Sequence, residues 1–426
     1  MLEAVSHSSA GLIRRPANAE DDSRNCLLRY AADIQSGLNY MSNNPTGYPE
    51  DMVVIEEDAE WSNRVTSPTN IGLFLASIVA SRDMLLIGAD ESDSLVNKVL
   101  ESLEKAETYE GLFYNWYSTQ TNATIESVSG KFVSTVDNAW LATGLMTIKS
   151  AMPSCAEQAE NILHRMNLPI LYDEGRDLFY GGIDTTSKHP TTWHYDILNT
   201  EGRMASYVGI SRYGIPPINY SNLGKYAPAG EDTGQTGFGQ SLLAWGGSKF
   251  EADMPALFVD EDALSNTWAY THSYHTAKQI EFGMRNDKGF WGYSPCYSPS
   301  NGYIESGLRE LAVSRGGYGT QHVIATYAVF LSLETNFDHS IQNLQRIRTT
   351  YPDAYREGFG FTDSVDVVSD KVANAYLSLD QAMSLLAIAN VVTGNSLREY
   401  LSPQLEAAKI LIRNLDLEIG DLTLVA

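Results

Sequence analysis

Residues 383–392 read MSLLAIANVV, and residues 323–333 read VIATYAVFLSL. Neither stretch has a polar face. A surface helix carries an apolar stripe along one side, so a helix that is apolar all round must be enclosed by other elements. Two such segments in one chain predict an inner ring of helices covered by an outer one. Working outward, Ser67-Pro68 supplies an N-cap and a proline at the first helical position, and Ile71, Phe74, Leu75 and Ile78 follow as a stripe. Asp93-Ser94 opens the next helix, which runs through Leu95, Val99 and Leu103. Further helices are expected near 21–42, 136–151, 154–167, 200–213, 249–258, 264–285, 319–336, 338–350, 379–393 and 397–413. The total is about twelve, as six helical hairpins require. Strand signals are weak, with short hairpins expected only in the loops around 110–135 and 172–193. The expected fold is therefore all-α, an (α/α)6 barrel.

The chain has 426 residues, enough for two or three average domains or for one large toroid. No long linker interrupts the helices, which favours a flexible lead-in over residues 1–20 and a single domain over 21–426. Acidic residues outnumber basic ones, 53 to 29, for a formal net charge of −24. That balance argues against nucleic acid and against an anionic membrane, both of which need a basic face. No run of 18 apolar residues occurs. The first 20 residues contain no apolar core of a signal peptide. Three cysteines, Cys26, Cys155 and Cys296, fit no zinc or redox spacing and build no disulfide framework. Oligomeric state is left open.

Candidate chemistry sits where inner helices begin. Asp137 (STVDNAWLATGL), Glu201 (YDILNTEGRMASY), Glu251 (WGGSKFEADMP) and Asp380 (YLSLDQAMSLLAIAN) all have that placement. Each also has a structural explanation, because Asp and Glu at a helix start cap free N–H groups and complement the dipole. Their conjunction with aromatic residues is more telling. Trp193, His194 and Tyr195 precede Glu201, Trp140 follows Asp137, and the chain holds 24 Tyr, 13 Phe and 7 Trp. Rings that stack on sugars beside paired carboxyls are what glycoside hydrolysis needs, one acid for the leaving oxygen and a second carboxylate for water or attack. Trp61, Trp140, Trp193, Trp245 and Trp291 are the candidate sugar platforms, with Tyr195, Arg203, Glu251 and Gln381 as further substrate contacts. His272 and His275 are spaced as a metal pair on a helix, but no third ligand lies nearby, so no metal is expected. No nucleotide or hydrolase fingerprint appears, and Gly181-Gly182, Gly246-Gly247 and Gly316-Gly317 read as loop turns.

In order along roughly residues 60–395, six segments resemble the glucoamylase-like superfamily: SPTNIGLFLASIVASRD, STVDNAWLATGL, YDILNTEGRMASYVGISR, WGGSKFEADMPALF, GFWGYSPCYSPSNGY and YLSLDQAMSLLAIAN. Its members include bacterial endo-β-1,2-glucanases and the glucoamylase-like domain of cyclic β-1,2-glucan synthases. The resemblance implies an (α/α)6 barrel, no cofactor, and action on an oligo- or polysaccharide of β-linked glucose, most typically β-1,2-glucan. It implies Glu201 as general acid and Asp380 as the group that activates water or holds the sugar being cleaved, with Asp137 third. Two departures stand out. Where the synthases carry a Glu in a WGISES-like segment, this chain has Ser294, Pro295 and Cys296, and the DQG-like motif reads Asp380-Gln381-Ala382. The missing carboxylate disfavours a nucleophile there and favours inversion, with acid and base about 6.5–9.5 Å apart. The expected function is an inverting endo-β-1,2-glucanase. The alternatives are an exo-acting glycosidase or transglycosylase on another β-linked saccharide, or a non-catalytic carbohydrate-binding protein. A polymeric substrate favours the periplasm or the cell exterior, with any signal peptide removed.

Overall fold

The computed structural model describes residues 17–55, 60–126, 130–228, 241–300, 302–314, 318–418 and 423–425. Twelve helices build two concentric rings. The inner ring consists of α2 (Pro68–Asp83), α4 (Thr135–Ala151), α6 (Arg203–Arg212), α7 (Lys249–Asp253), α9 (Thr326–Leu331) and α11 (Ser378–Thr393). The outer ring consists of α1 (Ala17–Ser42), α3 (Ala89–Lys105), α5 (Ala156–Arg165), α8 (Asn266–Asn286), α10 (Phe337–Thr350) and α12 (Glu406–Glu418). Three more helices, Ile218–Ser221, Glu261–Leu264 and Ser396–Leu401, fill connections.

Burial follows the expected layering. Every residue of α2 from Pro68 to Ser81 is buried, whereas α3 buries only Ser92, Val96, Val99, Leu100 and Leu103. One layer is apolar all round and the other is amphipathic, as enclosure demands. The inner helices α2 and α4 meet backbone to backbone. A Cβ added to Gly144 would lie 2.2 Å from the Gly72 carbonyl oxygen, and one on Gly72 would lie 2.3 Å from that of Trp140. Inside, α11 packs back on α2, and outside, α12 packs on α6 and α8.

The active-site end is set by short strands. Val65–Thr66, Phe132–Ser134, Val323–Ala325 and Ala375–Leu377 run directly into α2, α4, α9 and α11. Antiparallel pairing fixes their register: Ser134 faces Gly182, Ala325 faces Ser364, and Leu377 faces Met52. Because each strand is pinned, the helix starts that follow are held at one end of the barrel.

Several boundaries differ from expectation. The first helix begins at Ala17, inside the expected lead-in, and residues 1–16 lie outside the described residues. The segment expected as a helix over 319–336 is a strand at 323–325 followed by the short α9. Its β-branched, all-round apolar sequence suits a buried strand as well as a buried helix. Proline divides two others. Pro255 turns the end of 249–258 into a 3-10 turn, and Pro403 separates Ser396–Leu401 from α12. Hairpins occupy both expected loops.

Candidate active site

Glu201 stands one residue before the N-cap of α6, half-buried in the wall of a cleft of about 640 Å³. Trp193, Tyr195, Asp196, Trp245, Glu251, Glu305 and Tyr318 line the same cleft. Two aromatic pairs flank it: Trp193 meets Tyr195 edge-on at 5.4 Å, and Trp245 meets Tyr318 edge-on at 5.4 Å. Trp193 is 52% and Trp245 40% exposed, so each ring has a free face for a sugar. Glycines seat these rings. A Cβ on Gly181, Gly202 or Gly246 would lie 2.2, 2.6 or 2.2 Å from the rings of Trp193, Tyr195 and Tyr318 respectively. Gly181 and Gly246 thus do more than turn loops, while Gly316-Gly317 lies outside the described residues.

Burial, and then the charge of Glu251, push the Glu201 carboxyl up to about 7. Removing a carboxylate from water penalises its charged form, and a second carboxylate adds to that penalty. Glu251 is itself pinned. It closes a capping box at α7, accepting from the Gly246 amide at 2.9 Å and the Ser248 hydroxyl at 2.8 Å. It lines the cleft, but its oxygens already serve the backbone that carries Trp245.

Arg203, expected to touch sugar, is fully buried. Its five N–H groups go to both carboxyl oxygens of Glu261 (2.7 and 2.8 Å) and to the carbonyls of Thr200, Glu251 and Ala252 (3.0, 3.0 and 2.6 Å). A guanidinium has five donors, so none remains for a hydroxyl. Its role is to tie the Glu201 turn to the Glu251 turn. Trp140 and Trp291, expected as sugar platforms, are instead 1% and 2% exposed core residues without a free ring face, and Trp140 packs on Phe258. Gln381 is buried and donates to the Phe361 carbonyl at 2.8 Å. Trp61 is 54% exposed on the strand Glu60–Ser62, apart from the residues lining the Glu201 cleft. His272 bonds Asp262 and the Ala252 carbonyl, while His275 bonds the Leu242 carbonyl, and both rings are buried. No group of three or more His, Cys, Asp or Glu side chains is arranged to hold a metal among the described residues.

The other two expected carboxyls, Asp137 and Asp380, both lie near Asp51, and the charge of Asp137 reaches Glu201 as well. Asp137 is the third residue of α4 and accepts from the Thr69 hydroxyl at 2.6 Å, its carboxyl pushed up by burial. Asp380 is the third residue of α11, and burial followed by the charge of Asp363 holds its carboxyl far above the usual range. Two further carboxyls were not expected from the sequence. Asp51 accepts side-chain amide N–H bonds from Asn63 and Asn70, each at 2.9 Å, and Asp363 accepts from the Tyr297 amide at 2.5 Å. Both lie beside strands rather than at helix starts, so a search along helix N-termini passes over them. Their usable signal is an acidic residue next to a strand that leads into or pairs beside an inner helix. The Asp51 carbonyl accepts from Ser378 and the Asp363 amide donates to Ala375.

A double ring of helices with carboxyls and aromatic rings gathered at one end is an α/α toroid. The fold is glucoamylase-like, related to that of bacterial endo-β-1,2-glucanases and of the glycoamylase domain of cyclic β-1,2-glucan synthases. A family model described as putative glucoamylase matches residues 194–400, and one described as a protein of unknown function matches residues 41–216. A cyclic β-(1,2)-glucan synthase, NdvB of Rhizobium meliloti, is 27% identical over 274 residues, 60% of this chain and 9% of the relative. The chain thus spans about a tenth of that protein's length. A putative glucoamylase from Bacteroides uniformis superposes with TM-score 0.75 at 15% identity, covering 92% of this chain and 97% of the other. An endo-β-1,2-glucanase from Chitinophaga pinensis, bound to sophorotriose and glucose, gives 0.73 at 15% identity with the same coverage. One from Talaromyces funiculosus with β-1,2-glucan gives 0.74 at 13% identity, covering 95% and 90%. No helix among the described residues is long and apolar enough to cross a membrane.

Proposed function

We propose that this chain is an inverting glycoside hydrolase that cuts β-1,2-glucan at internal linkages, with Glu201 as general acid and Asp380 on the water-activating side. The observation that carries this reading is Glu201 itself. It lines the same cleft as the exposed rings of Trp193 and Trp245, and its carboxyl keeps its proton to about pH 7. A general acid must hold its proton at working pH and sit within reach of the leaving oxygen, and sugar rings need flat apolar faces beside it. The linkage and the internal mode of attack are supported by the two glucanases of the same fold, one holding sophorotriose and the other β-1,2-glucan. Inversion is supported by Ser294-Pro295-Cys296, which offers no carboxylate where the synthase-like motif has one.

The test is incubation of the wild type and Glu201→Gln with β-1,2-glucan and a panel of other β-glucans, with products resolved over time. The wild type should give an early ladder of oligosaccharides from β-1,2-glucan, and the variant should be slower by roughly 10²–10⁴-fold. Proton NMR of the first product should show the α-anomer. A β-anomer first would overturn inversion, a single small product would overturn internal attack, and an undiminished variant would remove Glu201 from the mechanism.

A further inference from the structure

Cys296–Ser298 and Gly302–Ile304 form a two-stranded hairpin whose register sets Cys296 against Ile304 and Tyr297 against Tyr303. Directly opposed residues share a face, so the hairpin has two distinct sides. Cys296 and Ser298 are buried on one of them. Tyr303 stands on the other, 61% exposed, and Glu305, two residues on and also exposed, continues that side.

Both strands are anchored. The Tyr297 amide donates to Oδ2 of Asp363 (2.5 Å), and the Tyr297 carbonyl accepts from the Ser364 hydroxyl (2.6 Å). Beyond Glu305, Ser306 bridges to Gly319 and the Leu308 amide donates to the Gly247 carbonyl (2.9 Å). A Cβ on Gly307 would lie 2.4 Å from the Gly246 carbonyl oxygen, so this stretch is pressed onto the turn that follows Trp245. One strand is thus tied to Asp363, and the chain leaving the other is tied to the wall of the Glu201 cleft. Glu305 lines that cleft with Trp245 and Tyr318. Whereas Glu251 is spent on backbone and hydroxyl donors, the Glu305 carboxyl has no hydrogen-bond or ion-pair partner among the described residues.

We propose that the outer side of this hairpin is a sugar-binding ledge, where Tyr303 stacks on a glucose ring and Glu305 accepts hydrogen bonds from two adjacent hydroxyls. This deepens the hydrolase reading and rests on it, and it gives the site a basis for choosing among linkages. A carboxylate has two acceptor oxygens and no donor, so it suits two O–H groups held side by side. Within a β-1,2-linked chain each glucose keeps its 3- and 4-hydroxyls free, and they are adjacent. Within a β-1,3-linked chain the bond consumes the 3-hydroxyl, and the 2- and 4-hydroxyls that remain are not adjacent. Glu305 therefore favours the first chain over the second.

The test uses the full chain carrying Glu201→Gln, which should bind with little turnover, titrated in a calorimeter with β-1,2- and β-1,3-linked glucose hexasaccharides. The β-1,2 chain should bind more tightly. Adding Glu305→Ala should weaken it by roughly 10-fold or more, as expected for hydrogen bonds to a charged group, and should change β-1,3 binding far less. Tyr303→Ala should weaken both, because stacking is blind to linkage, and Tyr303→Phe, which keeps the ring, should recover most of that loss. With Glu201 intact, the effect of Glu305→Ala on β-1,2-glucan cleavage should fall on KM rather than kcat. Both side chains are exposed, and melting temperatures matched to the parent would separate lost binding from lost fold. Equal losses on the two linkages would overturn the contact with adjacent hydroxyls, and a loss in kcat alone would overturn a binding role for Glu305. A parent that binds while the Glu305→Ala and Tyr303→Ala variants match it would overturn the ledge and leave the hydrolase reading standing. A parent that neither binds nor, with Glu201 restored, cleaves any β-glucan would overturn that reading itself.

Discussion

Glu201 and Arg203 are two residues apart, yet one opens on the cleft and the other never sees it. The difference is one of partners. Arg203 finds five acceptors within the turn and Glu261, while Glu201 is left beside Glu251 with its charge poorly solvated. That strain has a thermodynamic signature. The Glu201 carboxyl rises from 4.5 to about 7 on folding, so its protonation stabilises the fold below about pH 4.5. The contribution is lost as pH rises through about 7. Glu201→Gln removes the titration. The variant should therefore melt above the wild type at about pH 8, and the gap should close towards about pH 5. Melting curves across that range would show it, and a constant gap would contradict the elevated carboxyl. Much at this scale was legible: the acidic positions at helix starts, and Trp193 and Trp245 as exposed rings. Trp140, Trp291 and Arg203 were not, because an aromatic ring or a guanidinium beside a motif looks the same in sequence whether its partners are sugar or protein.

At the scale of elements, strand and helix divide the labour. Short strands set where α2, α4, α9 and α11 begin, and the third residue of α4, α7 and α11 is an acidic one. The inner helices can crowd together because Gly72 and Gly144 lack side chains. Gly144→Ala would drive a methyl into the Gly72 carbonyl, and since both helices are pinned by strands the clash cannot be absorbed by sliding. A loss of about 1–3 kcal/mol or more is expected, read as a lower denaturant midpoint at unchanged slope. A neutral effect would show that the α2–α4 contact yields. Helix existence was readable from period and caps, and the boundaries at Pro255 and Pro403 had visible breakers. The strand at 323–325 was hidden, because burial on every side erases the periodicity that separates strand from helix.

The whole molecule is a closed ring whose closure does not follow chain order. Of the ring helices, only the inner α6 and α7 come between α5 and α8 in sequence, and Trp245, shortly before α7, lines the cleft. The vacancy is filled by α12, from the far end of the described chain. Asp416 of α12 caps α8, accepting from Ser265 and Thr267 hydroxyls at 2.6 and 2.8 Å and from Asn266 and Thr267 amides at 3.0 and 3.1 Å. Asp416→Ala should cost about 1–3 kcal/mol, because the buried Ser265 and Thr267 donors lose a charged acceptor. Thermal melting would register it, and an unchanged midpoint would mean that water replaces the cap. The toroid itself was legible from the count of helices and from two segments apolar all round. Its closure was not, since α12 reads as an ordinary amphipathic helix and its partner lies 150 residues upstream.

Synthesis proceeds from the amino end, so every carboxyl of the cleft is made before the segment that seals the wall behind α6. Until residues 406–418 emerge, the nascent chain exposes the buried faces of α6 and α8 as an open seam. The wall behind α6 can therefore be completed only after α11 and the connection that follows it have been made.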